Sequence, residues 1–304
     1  MLAYAQVAAA AFGWGLWSLF LRPAALDARW ATAVVMLVVG LAATPTLFFS
    51  GARGPREGGP RRTSEYGWML ALGVSDAGNA LLFFAAMAKT SIAIAVLSHY
   101  LAPVLVSAFA PLLLGTPRRR GAIWLSIVAL GGLALVLEPW AMTGGHQASA
   151  PAFGALLGAG SAVFYATNVL LNKAMSKRFS SEETLVYHAY VSALLMAGLA
   201  LGQHAPLPSW RGLAIVAGGT VFVGAGGGLS FLYGLRRMPA EHAGMLCFLE
   251  PLVAVLAAWI AFGEQPHAMA ALGGVIVIAA GLLAIWEPRR PSTDEPAPSP
   301  STAA

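Results

Sequence analysis

Long apolar runs broken by short polar segments set the pattern of this chain. A bilayer core of about 30 Å is crossed by roughly 20 apolar residues at a rise of about 1.5 Å each. Ten stretches meet that length, at about 2–21, 30–50, 66–87, 91–114, 120–138, 152–172, 184–201, 211–234, 240–262 and 267–286. The pattern predicts an all-α integral membrane protein with ten transmembrane helices. Composition agrees, with 58% of the 304 residues hydrophobic and 10% charged, against roughly 45–50% and 25% in soluble domains. The first run lacks the basic n-region of a signal peptide and is long enough to span, so it reads as helix one.

A net charge of +5 changes the picture only through where the bases sit. With the N-terminus inside, fourteen of the 18 basic residues fall in inside segments, leaving Arg22, Arg29, Lys89 and Arg211 outside. That asymmetry predicts both termini in the cytoplasm. The bases sit where helices leave the bilayer and form no stripe interleaved with aromatics, so nucleic acid is not read as a partner. The excess of Arg over Lys and the Ala-rich spans point to a bacterial inner membrane. Cys247 is the single cysteine, which excludes an intrachain disulfide. The Pro- and Ser-rich tail at 287–304 reads as a disordered cytoplasmic end.

Two internal matches predict a repeat. At a shift of 148 residues, Gly78, Leu81, Phe83, Ala95, Leu101, Pro103, Ala110 and Gly115 fall on identical residues. One residue further on, Gly132-Leu-Ala-Leu-Val-Leu-Glu-Pro139 falls on Gly281-Leu-Leu-Ala-Ile-Trp-Glu-Pro288. Shared order and register make chance similarity a poor account. The chain divides into a first repeat (1–138, helices one to five), a loop (139–151), a second repeat (152–286, helices six to ten) and the tail. Five is odd, so the second half enters from the opposite side, as an inverted-topology five-helix repeat.

Three segments carry a family likeness: Phe12-Gly-Trp-Gly-Leu-Trp17, Ala95-Val-Leu-Ser-His-Tyr-Leu-Ala-Pro103, and Phe248-Leu-Glu-Pro251 followed by Gly263-Glu264. On them the chain resembles the drug/metabolite transporter superfamily, EamA-domain type, over nearly all of residues 1–286. The resemblance implies ten helices, two EamA halves, a central cavity, and export or exchange of small metabolites such as amino acids. One departure is Gly115-Thr116, where the family often has Gly-Glu.

An ionisable side chain near the bilayer midplane costs at least about 2.5–3.5 kcal/mol on insertion scales, so it faces the bundle interior or a wet cavity. Asp76 lies midway along helix three and shares a face with Asn79 and Phe83. Glu250 lies midway along helix nine, before Pro251. Each is either a cavity acid that binds a cationic group or carries a proton, or a neutral acid bonded between helices. His99 shares a face with Pro103 and Ser107, beside Tyr100; it shuttles protons, bonds a ligand, or ties to a neighbouring helix. Ser161, Tyr165, Asn168 and Asn172 form a polar stripe on helix six that either orients a zwitterionic solute or joins helices. Trp14 and Trp17 form an aromatic wall or an interfacial belt. His188 reads as packing, and His146, His204, His242 and His267 as residues near span ends. Glu138, Glu183, Glu241 and Glu264 read as solvated helix ends.

Pro103 and Pro251 hold matching positions, and each frees the carbonyl four residues earlier, at His99 and Cys247. A kink is expected at each, acting as a hinge or standing static. Helix eight carries Gly218, Gly219, Gly224, Gly226, Gly227 and Gly228, but Leu229 breaks a GxGxxG and no Lys-Ser/Thr follows, so close helix packing is the reading.

Together these features predict a secondary transporter, an exporter or exchanger of small organic metabolites, working by alternating access around a midplane cavity. Its partners are a small-molecule substrate and the lipid bilayer, with a homodimer as one open assembly. No P-loop occurs, so a gradient supplies the energy, protons through Asp76, Glu250 or His99 being one route. The alternative is an intramembrane enzyme acting on lipid or peptide. No HExxH or comparable constellation is present, so no catalytic residue, metal ligand or cofactor is assigned. Convergence of Asp76, His99 and Glu250 on a metal would favour that alternative.

Overall fold

The computed structural model describes residues 1–49, 61–140 and 151–286. Among them ten helices are long and apolar enough to cross a membrane. They are α1 (Leu2–Ala24), α2 (Ala28–Phe48), α3 (Thr63–Lys89), α4 (Ile92–Leu114), α5 (Arg120–Leu137), α6 (Pro151–Met175), α7 (Ser181–Gly202), α8 (Trp210–Leu235), α9 (Ala240–Phe262) and α10 (Ala268–Trp286). The described residues contain no strand. The tail from 287, most of the 139–151 loop and His146 lie outside the described residues.

Side chains in the connecting segments start and stop these helices. Asp27 accepts from the Arg29 amide at 3.0 Å, and Ser91 and Ser209 cap α4 and α8 in the same manner. At α7 the cap is reciprocal: Ser180 accepts from the Glu183 amide at 3.0 Å, and Glu183 accepts from the Ser180 amide at 2.9 Å. Helices α4 and α9 both end on a left-handed glycine, Gly115 (φ +64°) and Gly263 (φ +73°), where a Cβ would be strained.

Helix α1 lies along α8, α3 along α6, α2 along α7, α5 along α10, and the second part of α4 against the first part of α9. Exchanging each helix for the one five further along the chain maps the first four of these pairs onto the same four. Lipid tails give no hydrophobic drive between helices, so small residues that let backbones approach do much of the joining. Gly132 of α5 sits so close to α10 that a Cβ there would lie 2.9 Å from the Gly273 carbonyl oxygen. The glycines of α8 serve the same end, with Gly219, Gly227 and Gly234 packed under Phe20, Trp14 and Val7 of α1. Large apolar side chains point outward instead: Leu194 is 74% exposed, Phe222 81% and Ile260 82%, which only a lipid solvent makes favourable.

Four helices are irregular at mid-length. α1 breaks at Leu16–Trp17, α4 at Tyr100–Leu101 and α9 at Phe248, while α8 widens into a π-helical turn at Val221–Gly226. The breaks in α4 and α9 follow from Pro103 and Pro251, which have no amide hydrogen for the carbonyls of His99 and Cys247. At membrane depth, irregular backbone is tolerated where it is buried in protein or lines a cavity.

Candidate functional site

Those irregular segments surround a cavity of about 610 Å³, within the range of small-molecule sites. Trp17, Asp76, Asn79, His99, Tyr100, Tyr165, Asn168, Glu250 and Pro251 all line it, as do Trp14, Phe83, Asn172 and His188. Pro103 stands behind the wall, packed against Gly244 of α9. Ser107 is also outside it and bonds Ser126 of α5 at 3.0 Å. Periodicity did not single out Arg22, Thr32, Phe84 or Phe231, which also line the cavity. Arg22 carried only a topological signal, and the others look like ordinary span residues until helices from both halves meet.

Hydrogen bonds fix how the polar groups present themselves. The Ser161 hydroxyl donates to the Gly158 carbonyl at 2.8 Å, so it accepts from His99 Nδ1, also at 2.8 Å. His188 Nδ1 donates to the Thr184 carbonyl at 2.6 Å. In the neutral form of each ring this places the accepting lone pair on Nε2. Asn172 Nδ2 donates to the Asn168 side-chain oxygen at 2.7 Å, one helical turn away. Among the described residues Asn168 Nδ2, Asn172 Oδ1, Asn79 Oδ1 and Asp76 Oδ2 are buried without a partner. His99 stacks on Tyr165 with centroids 5.1 Å apart and lies 4.6 Å from Phe83, while Trp14 packs on Phe231 at 5.2 Å. Among the described residues no group of three His, Cys, Asp or Glu is placed to hold a metal ion.

The two ends of the bundle are built differently. Of the described lining residues only Arg22, Ile92 and Glu264 are exposed, and all three stand at the end away from Met1. There Arg22 of α1 donates to both oxygens of Glu264, at 2.5 and 3.3 Å. Nearby, a hydrogen bond from the Arg29 side chain holds the Asp27 carboxyl below the usual carboxylate range. The Met1 end is closed by interlocked ion pairs: Arg61 with Glu183 (2.8 Å), Arg119 with Glu241 (3.2 Å) and Arg178 with Glu65 (2.5 Å). The Arg61 guanidinium, bonded to Glu183, is held above its ordinary pKa. Lys173 donates to the carbonyls of Leu235, Arg236 and Met238, and Tyr4 bonds His242 at 2.8 Å. Sequence reading took Glu183 and Glu241 for solvated helix ends and gave His242 no role. All three are buried, at 6%, 4% and 3% exposure, because their helices start beneath a neighbouring arginine or tyrosine.

The model of the EamA-like transporter family matches residues 1–138 and 152–286. The chain belongs to that family. An Archaeoglobus fulgidus protein described as an uncharacterized transporter is 30% identical over 75% of this chain and 78% of its own length. The pseudopaline exporter CntI of Pseudomonas aeruginosa is 26% identical over 70% of this chain and 72% of its own. A crystal structure 21% identical to this EamA-family chain has the same fold, with a TM-score of 0.77 over 93% of this chain and 98% of that one. EamA-like proteins are a family of transporters, and the relatives carry transporter names, so the intramembrane-enzyme alternative falls away. The chain is a multi-pass membrane protein of the transporter class.

Proposed function

We propose that this protein is a secondary carrier that exports or exchanges small organic metabolites, amino acids among them, by alternating access around the midplane cavity. The observation that carries this is the cavity itself, polar at its waist, walled by both halves and bounded by four interrupted helices. The two halves act as inverted repeats, and the mapping of four helix pairs onto the same four supports that arrangement. The breaks at Pro103 and Pro251 are the hinges about which the halves rock. Both termini face the cytoplasm of a bacterial cell, so the Met1 end is the inner side and the Arg22–Glu264 rim the outer. The export function of a relative named for pseudopaline supports the outward direction.

The test is a flux measurement. Purified protein in liposomes preloaded with a panel of labelled amino acids and small metabolites should accelerate efflux of at least one solute over empty liposomes. Flux of none, from protein that remains folded, removes the carrier reading. A pH gradient imposed on the same liposomes should alter the rate if protons are coupled through Asp76, His99 or Glu250; indifference to it removes proton coupling.

A further inference from the structure

The cavity wall holds buried acids and hydrogen-bond acceptors but little positive charge to answer them. Among the described lining residues Asp76 Oδ2, Asn79 Oδ1 and Asn172 Oδ1 are buried and unpartnered, as are Asn168 Nδ2 and the Ser18 hydroxyl. The tautomers fixed by Ser161 and Thr184 add the lone pairs of His99 and His188. Two carboxylates, Asp76 and Glu250, share this wall. Among the described lining residues the one Arg or Lys is Arg22, and it is spent on Glu264 at the rim. Neither Asp76 nor Glu250 has an Arg or Lys facing it from the described lining. Trp14, Tyr100, Tyr165 and Phe231 line the same cavity, and aromatic side chains attract cations and accommodate apolar bodies.

Resting on the carrier reading above, we propose that the cavity selects organic ammonium ions: solutes with an amine head, seated at Glu250 and Asp76, and an aromatic or alkyl body against the ring walls. An ammonium group brings three donors and no acceptor, which complements the unpartnered oxygens and ring nitrogens. A carboxylate-headed solute of the same shape meets two acids and no free Arg or Lys, and is rejected.

An isosteric pair tests this in the intact chain. Tryptophan fluorescence of the protein in nanodiscs is titrated with phenethylammonium and with 3-phenylpropionate, Trp14 and Trp17 being reporters in the wall. The cation is expected to bind at least tenfold tighter than the anion. Glu250→Gln should weaken the cation tenfold or more, Asp76→Asn less, and neither should weaken the anion. Equal affinities, a tighter anion, no saturable binding of the cation, or cation binding unmoved in a folded Glu250→Gln/Asp76→Asn variant would each overturn the proposal. The comparison in the unaltered chain needs no variant to fold. Failure here is separable from failure of the carrier reading. A metabolite that flows through liposomes while the amine shows no preference removes the ammonium site and leaves the carrier. Tight, carboxylate-dependent amine binding without flux of any solute does the reverse.

Discussion

Single atoms decide how the cavity wall is set. Because Ser161 spends its proton on Gly158, it is the acceptor that orients the His99 ring. Ser161→Ala should strand the buried Nδ1 hydrogen and cost about 1–3 kcal/mol, read as a lowered midpoint of thermal unfolding in detergent. An unchanged midpoint would show that His99 is held by its aromatic neighbours alone. Gly15 offers a sharper contrast, since a Cβ there would lie 2.6 Å from the Glu250 carbonyl oxygen, whereas a Cβ at Gly13 would meet nothing within 4 Å. Gly15→Ala should cost about 1–3 kcal/mol by overpacking and reduce flux by lifting α9 off α1. Gly13→Ala, on the same helix, should leave both unchanged, and equal effects of the two would refute the close-approach argument. Asp27 adds a pH-dependent contribution. Its carboxyl titrates below its unfolded value of about 3.9, so the stability it supplies is complete above that value and fades as pH falls through the lowered one. Asp27→Asn should flatten this dependence in acid-unfolding curves.

At the scale of elements, the ten spans were legible because length and hydropathy are local properties, and every boundary read from the sequence lies within three residues of the observed helix. The breaks in α4 and α9 were legible too, since proline states its effect locally. The π-helical turn of α8 and the break in α1 were not, for no proline marks them. The turn in α8 sits in a glycine-rich stretch whose pattern signals close packing rather than a change of helical pitch. If the proline breaks serve as hinges, Pro103→Ala and Pro251→Ala should restore helical hydrogen bonds, raise thermal stability and slow flux in protein that elutes as a folded species. Flux at the unaltered rate in both variants would mark the breaks as static.

For the whole molecule, one end of the cavity is locked and the other is held at its rim. The sequence showed which side gathers positive charge, yet read Glu183 and Glu241 as solvated, because their arginine partners lie 122 residues away along the chain, in the segments just before α3 and α5. The polar residues that line the cavity on α3, α4, α6 and α9 were visible as polar positions on apolar spans. Arg22 was not, since its role exists only once α1 and α9 end side by side. Removing one acid of the closed end should unlatch it, for breaking a buried pair costs about 3–5 kcal/mol. In a Cys247→Ala background, a cysteine placed by Leu232→Cys should label faster from the Met1 side with an impermeant maleimide when Glu241→Gln is added. Equal labelling rates would show that the ion pairs do not bar that end.

Arg22 and Lys173 each stand two residues before the last residue of the helix that opens their half. Arg22 meets Glu264 just past Gly263; the corresponding position past Gly115 is Thr116, which has no charge to offer, and Lys173 grips three neutral carbonyls instead. Counterions compete with an exposed carboxylate far better than with sequestered peptide dipoles. Raising ionic strength in the bath should therefore loosen the mouth at Arg22 while leaving the floor at Lys173 shut, so that salt alone biases which compartment the solute sees.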